Sequence, residues 1–260
     1  SLPEVESVFI MPSCSDESNC FGAAHLGAIS KGFDALNILP LKDLYLGIIY
    51  STDCIKEALR NYQFSQDVTI EEPECIEDVV ADLLSEGEIV AHYFGREEFG
   101  ARALGNRSIL ADPSRIENIV RINKMIKQRD FWMPFAGTMT YDTAQKNLIN
   151  LKNHFGPYMM MAFNATNRAD EFPAATHQYD GTIRPQMLLK EWNPRYYKIL
   201  KRFEVKTGRK GGLLNTSFNL HGYPIVSSPK DALIVFDRSG LQFVAIGSFL
   251  ISKKRNVNSN

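Results

Sequence analysis

Between Phe94 and Ser108 the chain reads FGREEFGARALGNRS, which sets Gly95, Gly100 and Gly105 five residues apart among Arg96, Arg102 and Arg107. Glycine reaches backbone angles closed to other residues and lets the main chain approach a ligand, while arginine presents a rigid fork of donors that matches phosphate or carboxylate. Together they predict an oxyanion-binding loop. From Gly95 to Arg129 eight Lys and Arg face four Asp and Glu, a local excess of +4 in a chain of 260 residues whose net charge is −1. The overall balance argues against general attraction to nucleic acid or membrane, so any anion site is a local feature. The competing reading of the same letters is an exposed loop in which Arg96 and Arg102 pair with Glu97 and Glu98.

GEIVAHYF delivers the chain into this loop as a strand. Upstream, VESVFIMPS reads as a buried strand bounded by Pro12. It runs into a helix that Ser15 or Asp16 would cap and whose Gly22, Ala23 and Ala24 permit close packing. STDCIKEALRNY is a second capped helix, starting at Ser51 or Thr52 with Ile55, Ala58 and Leu59 on one face. Residues 71–88 contain eight Asp and Glu and no Lys or Arg, while Ile76, Val79, Val80, Leu83 and Leu84 keep a helical period. They read as a linker near 70–75 followed by a helix with a solvated acidic face. Downstream, helices from about Arg115 to Lys127 and from Pro194 to Thr207, closed by Gly208, flank a Gly- and Pro-bounded middle. GGLLNTSFNL and FVAIGSFLIS supply strands, DALIVF a strand or a capped helix, and KKRNVNSN a frayed, solubilising tail. Strands and helices alternate in both halves, which predicts an α/β protein.

A hydrophobic fraction of 44% supports a sizeable core, in one large domain or two small ones. No apolar run approaches the roughly 18 residues of a membrane span, so the expectation is a soluble protein without a membrane partner. Cys14, Cys20, Cys54 and Cys75 form no C-x-x-C pair and no metal-finger spacing, which reads as reduced thiols in the cytoplasm. The chain starts at Ser1 without a signal-peptide pattern and reads as a fragment of something longer.

Three further stretches carry polar groups suited to the same ligand. In RINKMIKQR, Asn123 and Lys127 are four apart and share a helix face. In ATHQYDGTIRP, an Asp180-Gly181 turn presents Thr182 and Arg184 at the start of a strand. In LLNTSFNLHGYPIV, the neutral side chains Asn215, Ser217 and Asn219 fall on one face at period two if the segment is extended, a row that suits a planar amide or carboxylate-like group. A polar turn after a core strand is the alternative there.

The order of GREEFGARALGNRSILADP, NKMIKQRDFWMPFA, ATHQYDGTIRPQ and GLLNTSFNLHGYPIVSSPKDAL resembles the C-terminal domain of the O-carbamoyltransferases that modify nodulation factors and antibiotics, over roughly residues 75–250. Residues 1–72 resemble the end of that family's actin-like, metal- and nucleotide-binding domain, and residues 73–260 its C-terminal domain. The resemblance implies a YrdC-like twisted mixed sheet with flanking helices, preceded by a partial actin-like α/β segment. It implies ATP and carbamoyl phosphate as substrates, carbamoyl-adenylate as product, and transfer to an acceptor hydroxyl of a sugar or antibiotic with the help of iron in a full-length protein. By motif position it makes Arg102, Lys127 and Arg184 phosphate-neutralising groups and gives Asn215 and Ser217 the carbamoyl end. Arg96, Asn106, Arg107, Arg129, His177 and Asn219 are further binding candidates, and Asp16 matches a metal-ligand aspartate, although a lone Asp before a helix also reads as an N-cap.

Two departures bear on activity. The family's pair of metal histidines has no counterpart, so an iron site is incomplete. Where the family reads Phe-Arg-Pro-Phe-Ala-Pro, this chain has WMPFAG, with Met133 at the arginine position and Gly137 at the second proline. A degenerate module that binds nucleotide or phosphate without turnover is therefore the alternative function. An RNA-modifying role is disfavoured because no basic and aromatic surface stands out. Homo-oligomerisation is left open.

Overall fold

The computed structural model describes residues 2–39, 41–128, 133–150 and 152–254. In chain order the first half holds α1 (Asn19–Ser30), α2 (Thr52–Asn61), β1 (Val68–Glu71), α3 (Ile76–Ser85), β2 (Val90–Tyr93), β3 (Arg107–Ala111) and α4 (Asn118–Ile122). The second holds β4 (Ala136–Thr140), α5 (Tyr141–Asn147), β5 (Leu148–Ile149), β6 (Phe163–Ala165), β7 (Thr182–Ile183), β8 (Gln186–Leu188), α6 (Pro194–Thr207), β9 (Leu213–Ser217), α7 (Pro229–Arg238), β10 (Phe243–Ile246) and β11 (Phe249–Lys253). Eight strands form a mixed sheet in the order β1-β11-β10-β2-β3-β9-β4-β8, parallel at β10/β2 and β4/β8 and antiparallel elsewhere. A small antiparallel sheet, β5-β6-β7, sits beside it.

Successive strand residues point to opposite faces, so the strands divide their apolar side chains between two layers of helices. Val90, Leu110, Leu213, Ala245 and Leu250 pack with Ile76, Val80 and Leu84 of α3 and Ile199, Leu200 and Phe203 of α6. Their neighbours Ala91, Ile109, Leu214, Val244 and Ile251 pack on the other face with Ile55 of α2, Ile122 of α4 and Leu233 and Phe236 of α7. The protein is a mixed α/β fold with helices on both faces of the sheet, as the alternation of elements requires. The predicted helix from Pro194 to Thr207 matches α6, whose C-cap Gly208 takes φ 69°. Ser51 caps α2 by accepting from the Cys54 N–H, and the DALIVF segment takes its helical alternative, with Ser228 and Asp231 forming a reciprocal cap.

Several expectations are corrected. VESVFIMPS forms no strand, and residues 2–10 are exposed. Neither Ser15 nor Asp16 caps α1 with its side chain. A 3-10 turn, Asp16–Ser18, comes first, and α1 buries none of its residues, so its small residues serve no packing. The expected linker near 70–75 begins with β1, which pairs with β11. The division at residue 72 thus falls just after a strand of the large sheet. The acidic face of α3 is not merely solvated, because Glu77 meets Arg195 and Lys198, Asp78 meets Arg202, and Asp82 meets Lys206 along α6. Two complementary faces at one-turn spacing form a ladder between helices. In the expected frayed tail, Lys253 closes β11 and donates to the carbonyls of Phe236, Asp237 and Ser239 at the end of α7, while residues 255–260 lie outside the described residues.

His92 of β2 is buried between the rings of Phe94 and Tyr196, with Nδ1 2.6 Å from the Gly105 carbonyl. Burial pushes its imidazole down to about 4, so the ring is neutral at pH 7 and Nδ1–H donates. The unfolded chain takes up this proton from about pH 6.5 downward, so the stability that the neutral ring confers is complete above that value and is lost as pH falls toward 4, a change of about 3 kcal/mol. Urea unfolding across that window is expected to show the loss. His92→Gln should flatten that limb of the profile.

Candidate functional site: an arginine-lined cleft

The loop from Phe94 to Asn106 is held from inside. The buried Glu98 carboxylate accepts through Oε1 from the N–H groups of Leu104 (2.7 Å), Asn106 (2.8 Å) and Arg107 (3.2 Å). Burial pushes this carboxyl upward, against the three N–H bonds that favour its charged form. The fully buried Arg107 donates to the carbonyls of Phe94 (2.7 Å), Asn106 (3.2 Å) and Gly95 (3.3 Å), and its guanidinium lies 3.7 Å from the Tyr93 ring centroid. Asn106 donates to the Arg96 carbonyl and accepts from Asn193, at 2.8 Å each. Arg96 donates to the Gly47 carbonyl. Glycine is required at 105, where φ is 116° and an added Cβ would stand 2.2 Å from Tyr196.

This geometry sorts the three arginines of the loop. Arg107 hydrogen-bonds to loop carbonyls, and Asn106 to the Arg96 carbonyl and to Asn193, so both hold the loop together. Arg96 ties the loop to the segment before α2. Arg102 is left at the surface, with no hydrogen bond or ion pair to the described residues. The expected pairing with Glu97 and Glu98 does not form, since Glu97 accepts from Ser227 and Glu98 from the backbone.

Arg102 overhangs a cleft of about 560 Å3 whose other walls are Met133, Pro134, Phe135, Ala175, His177, Asp180, Thr182 and Arg184. A recess of about 50 Å3 opens beside it, sharing Arg102 and Arg184 and floored by Asn215, Thr216, Ser217, Ala136 and Met159. Five segments far apart in sequence converge here because β9 lies between β3 and β4, which follow the loop and the Met133 segment. The Asp180-Gly181 turn behaves as predicted. Asp180 Oδ1 accepts from Thr182 N–H (3.0 Å) and Oγ1 (2.8 Å) and lies 2.9 Å from His177 Nδ1, and these bonds, Thr182 first, hold its carboxyl below the ordinary range. The His177 ring is thereby oriented at the cleft's edge.

Asn215 is fixed by its amide nitrogen, which donates to Thr138 Oγ1 (3.1 Å) and the Ala103 carbonyl (3.3 Å), while its Oδ1 is buried without a hydrogen-bond partner. Thr138 in turn donates to Gln186, which donates to the Leu104 carbonyl. Thr138 and Gln186 escaped sequence reasoning. The available signal was the presence of polar residues in two short buried strands, AGTMT and QML, of which Thr138 and Gln186 are placed opposite each other by the β4/β8 register.

The period-two row is broken after Ser217, where β9 ends and the chain turns, with the Asn219 N–H bonded to the Ser217 carbonyl. Asn219 and Ser217 meet Lys127 instead. Lys127 closes a π turn, Asn123–Lys127, that continues α4, and donates to Ser217 Oγ (3.0 Å) and Asn219 Oδ1 (2.5 Å). It is buried behind Ser217 and lines neither the cleft nor the recess. Met133 is 36% exposed at the cleft's lip and is no core residue. Arg129 lies outside the described residues. Asp16 is exposed on its 3-10 turn, and no group of three His, Cys, Asp or Glu that could hold a metal occurs among the described residues. Nor is any described helix long and apolar enough to cross a membrane.

Arg102 and Arg184 thus line both a cleft and the small polar recess beside it, in an α/β protein whose mixed sheet is clad by helices. Residues 81–253 match the family described as Carbamoyltransferase C-terminus, and the chain belongs to it. An uncharacterised protein of Methanocaldococcus jannaschii is 35% identical over 96% of this chain and 41% of its own length. The nodulation protein NolO of Bradyrhizobium diazoefficiens is 32% identical over 96% and 45%, and the 3'-hydroxymethylcephem-O-carbamoyltransferase of Amycolatopsis lactamdurans 29% over 95% and 44%. The chain thus spans under half the length of these curated relatives. Among solved structures, full-length HypF in its phosphate- and nucleotide-bound form matches 67% of this chain and 22% of its own at 16% identity, with a TM-score of 0.46, a likeness too slight to assign a fold.

Gly105→Ala is the sharpest test of the loop. Forcing a methyl into Tyr196 at a positive φ should cost about 2–4 kcal/mol, read as a lower denaturation midpoint.

Proposed function

We propose that this chain forms the carbamoyl-activating site of a carbamoyltransferase, joining the carbamoyl group of carbamoyl phosphate to the adenylyl group of ATP. The observation that carries this reading is the sharing of Arg102 and Arg184 between the outer cleft and the inner recess. Two guanidinium groups suit the phosphate of an acyl phosphate and the negative charge that spreads during nucleotidyl transfer. The recess beneath them offers Asn215 and Ser217 to a small planar amide, and the unpartnered Asn215 Oδ1 is an acceptor suited to an N–H of that group. The outer cleft has the size of a nucleotide site. Met133, Pro134, Phe135 and Ala175 provide apolar wall for a base, and His177 and Thr182 provide polar groups for a sugar.

In this reading water cleaves the phosphate from carbamoyl phosphate. A carbamate oxygen then attacks the α-phosphorus of ATP, with pyrophosphate leaving as the new O–P bond forms. The chain's own contribution is positioning and charge, from Arg102 and Arg184, with Asn215 and Ser217 orienting the carbamoyl plane. Transfer to an acceptor hydroxyl is not routed through the described residues, which bring no metal-binding set together. Small-molecule substrates, a cytoplasmic setting and the absence of a nucleic-acid partner belong to the same proposal.

The test is pyrophosphate release from ATP that depends on carbamoyl phosphate. Arg102→Ala and Arg184→Ala should each weaken carbamoyl-phosphate binding by about 1.5–3 kcal/mol, the range of a charge-assisted hydrogen bond. Binding without pyrophosphate release would favour the degenerate module, the reading to which Met133 points by replacing the family's arginine at the lip. Because Met133 is partly exposed, Met133→Arg should leave the melting temperature unchanged and raise carbamoyl-phosphate affinity by about 1–3 kcal/mol. A lower melting temperature without tighter binding would show that the lip tolerates no cation.

A further inference from the structure

The ladder between α3 and α6 holds one cation more than its carboxylates need. Arg202 meets Asp78, Lys206 meets Asp82, and Glu77 is held by Arg195. Lys198 also reaches Glu77, at 3.4 Å, but its shortest contact is to sulfur, with Nζ 3.0 Å from Sγ of Cys75. The thiol in turn donates to Glu77 Oε2, 3.2 Å away. Cys75 occupies the position before α3 where a side chain ordinarily caps a helix, yet it makes no capping bond, and its sulfur is turned toward Lys198 and Glu77 instead. The other three thiols have different surroundings. Cys14 and Cys20 donate to main-chain carbonyls one turn back, and Cys54 contacts the Ser51 hydroxyl. Cys75 is partly exposed, so a small solute can reach the sulfur.

We propose that Cys75 and Lys198 form a redox modification site, at which a hydroperoxide joins the two side chains through a reversible sulfur–nitrogen bond. The proposal is independent of the carbamoyl-activating function. The reactive form of a cysteine is its thiolate, and Glu77 is placed to take the thiol proton as sulfur attacks one peroxide oxygen. An S–O bond forms and the O–O bond breaks, so sulfur is oxidised to a sulfenic acid while the second oxygen leaves as hydroxide. That hydroxide takes a proton from the Lys198 ammonium and departs as water, which leaves a free amine in contact with the oxidised sulfur. The amine lone pair then attacks sulfur, forming the S–N bond of a sulfenamide as the S–O bond breaks. The departing hydroxide takes back the proton that Glu77 held, and the nitrogen releases one proton to solvent. A thiol, an ammonium group and a hydroperoxide are thereby converted into a sulfenamide, two oxygen-bearing leaving products and one proton, with the peroxide as the only oxidant. A sulfenic acid without such a neighbour is open to further oxidation to the irreversible sulfinic acid, so an amine held at contact distance both captures and protects it. The bond fastens the start of α3 to the second turn of α6. One turn earlier on α6, the Arg195 guanidinium lies 3.8 Å from the ring centroid of Phe94, where the glycine-rich loop begins.

The experiment treats the purified chain with hydrogen peroxide, digests it and weighs the peptides. The wild-type chain should yield a Cys75 peptide joined to a Lys198 peptide, lighter than the two together by two hydrogens and separated again by dithiothreitol. Lys198→Arg keeps the cation on the ladder and removes the attacking amine. In that variant the joined species should be lost, with Cys75 captured by dimedone as sulfenic acid or recovered as sulfinic acid. An ion pair with a purely structural role would make no such distinction between lysine and arginine. Peroxide treatment in concentrated urea, which separates the helices, should also abolish the joined species. The inference is overturned if wild-type Cys75 stays reduced, if it passes to sulfinic acid with no joined peptide, or if the joined peptide persists in Lys198→Arg or in urea. Each of those results leaves the proposed function standing.

Discussion

One carboxylate sets the shape of everything around the cleft. Glu98 lies inside the loop it belongs to and gathers the three backbone N–H groups of Leu104, Asn106 and Arg107 onto a single oxygen. Without it, Leu104, Asn106 and Arg107 would bury unpaired donors, which is costlier than a lost surface contact. The Arg107 guanidinium performs the reciprocal task for the carbonyls of Phe94 and Gly95 on the opposite limb and of Asn106 on its own. The loop is thus a small folded body fastened to β2 and β3, and Arg102 is the arginine left over at its rim. Charge in the loop serves first to build it and only then to bind.

This explains how far the site was legible from the letters. Glycines at 95, 100 and 105 marked a loop with left-handed turns, and all three adopt positive φ. The arginines marked anion chemistry, yet composition could not divide them between frame and ligand. That division depends on which side chains are buried, and burial of Arg107 follows from a strand register and a tyrosine ring that no local pattern displays. Likewise Asn215, Ser217 and Asn219 look equivalent at period two, but the strand ends between the second and third. Lys127 stood out as a cation near the loop, and its place behind Ser217 is a product of the π turn that closes its helix.

The fold was more legible than the site wherever local signals and tertiary context agreed. Capping residues and periodicity located α2, α3 and α6 within a few residues, because amphipathic faces and caps are written locally, and offered a capped helix as one of two readings where α7 stands. They failed where the partner is remote. VESVFIMPS has strand-like letters and finds no strand to pair with, so it is left uncovered. The acidic run before β2 looked like a solvated face because its counter-charges lie about 120 residues on, along α6. Pattern reading sees which groups want a partner and is blind to who supplies it.

The pairing of β1 with β11 carries a consequence for how this polypeptide can be divided. Residues 68–71 form the outermost ribbon of the large sheet, pairing register by register with Leu250 to Lys253. A cut at residue 72 would remove that cover and leave the backbone of β11 bare along one side, with Ile251 and Leu250 beside it. Bare sheet margins recruit strands from other molecules. Expression of residues 73–260 alone would therefore exchange an intramolecular seam for a sticky one, favouring domain-swapped or fibrillar assemblies, whereas a cut ahead of α2 leaves the seam closed.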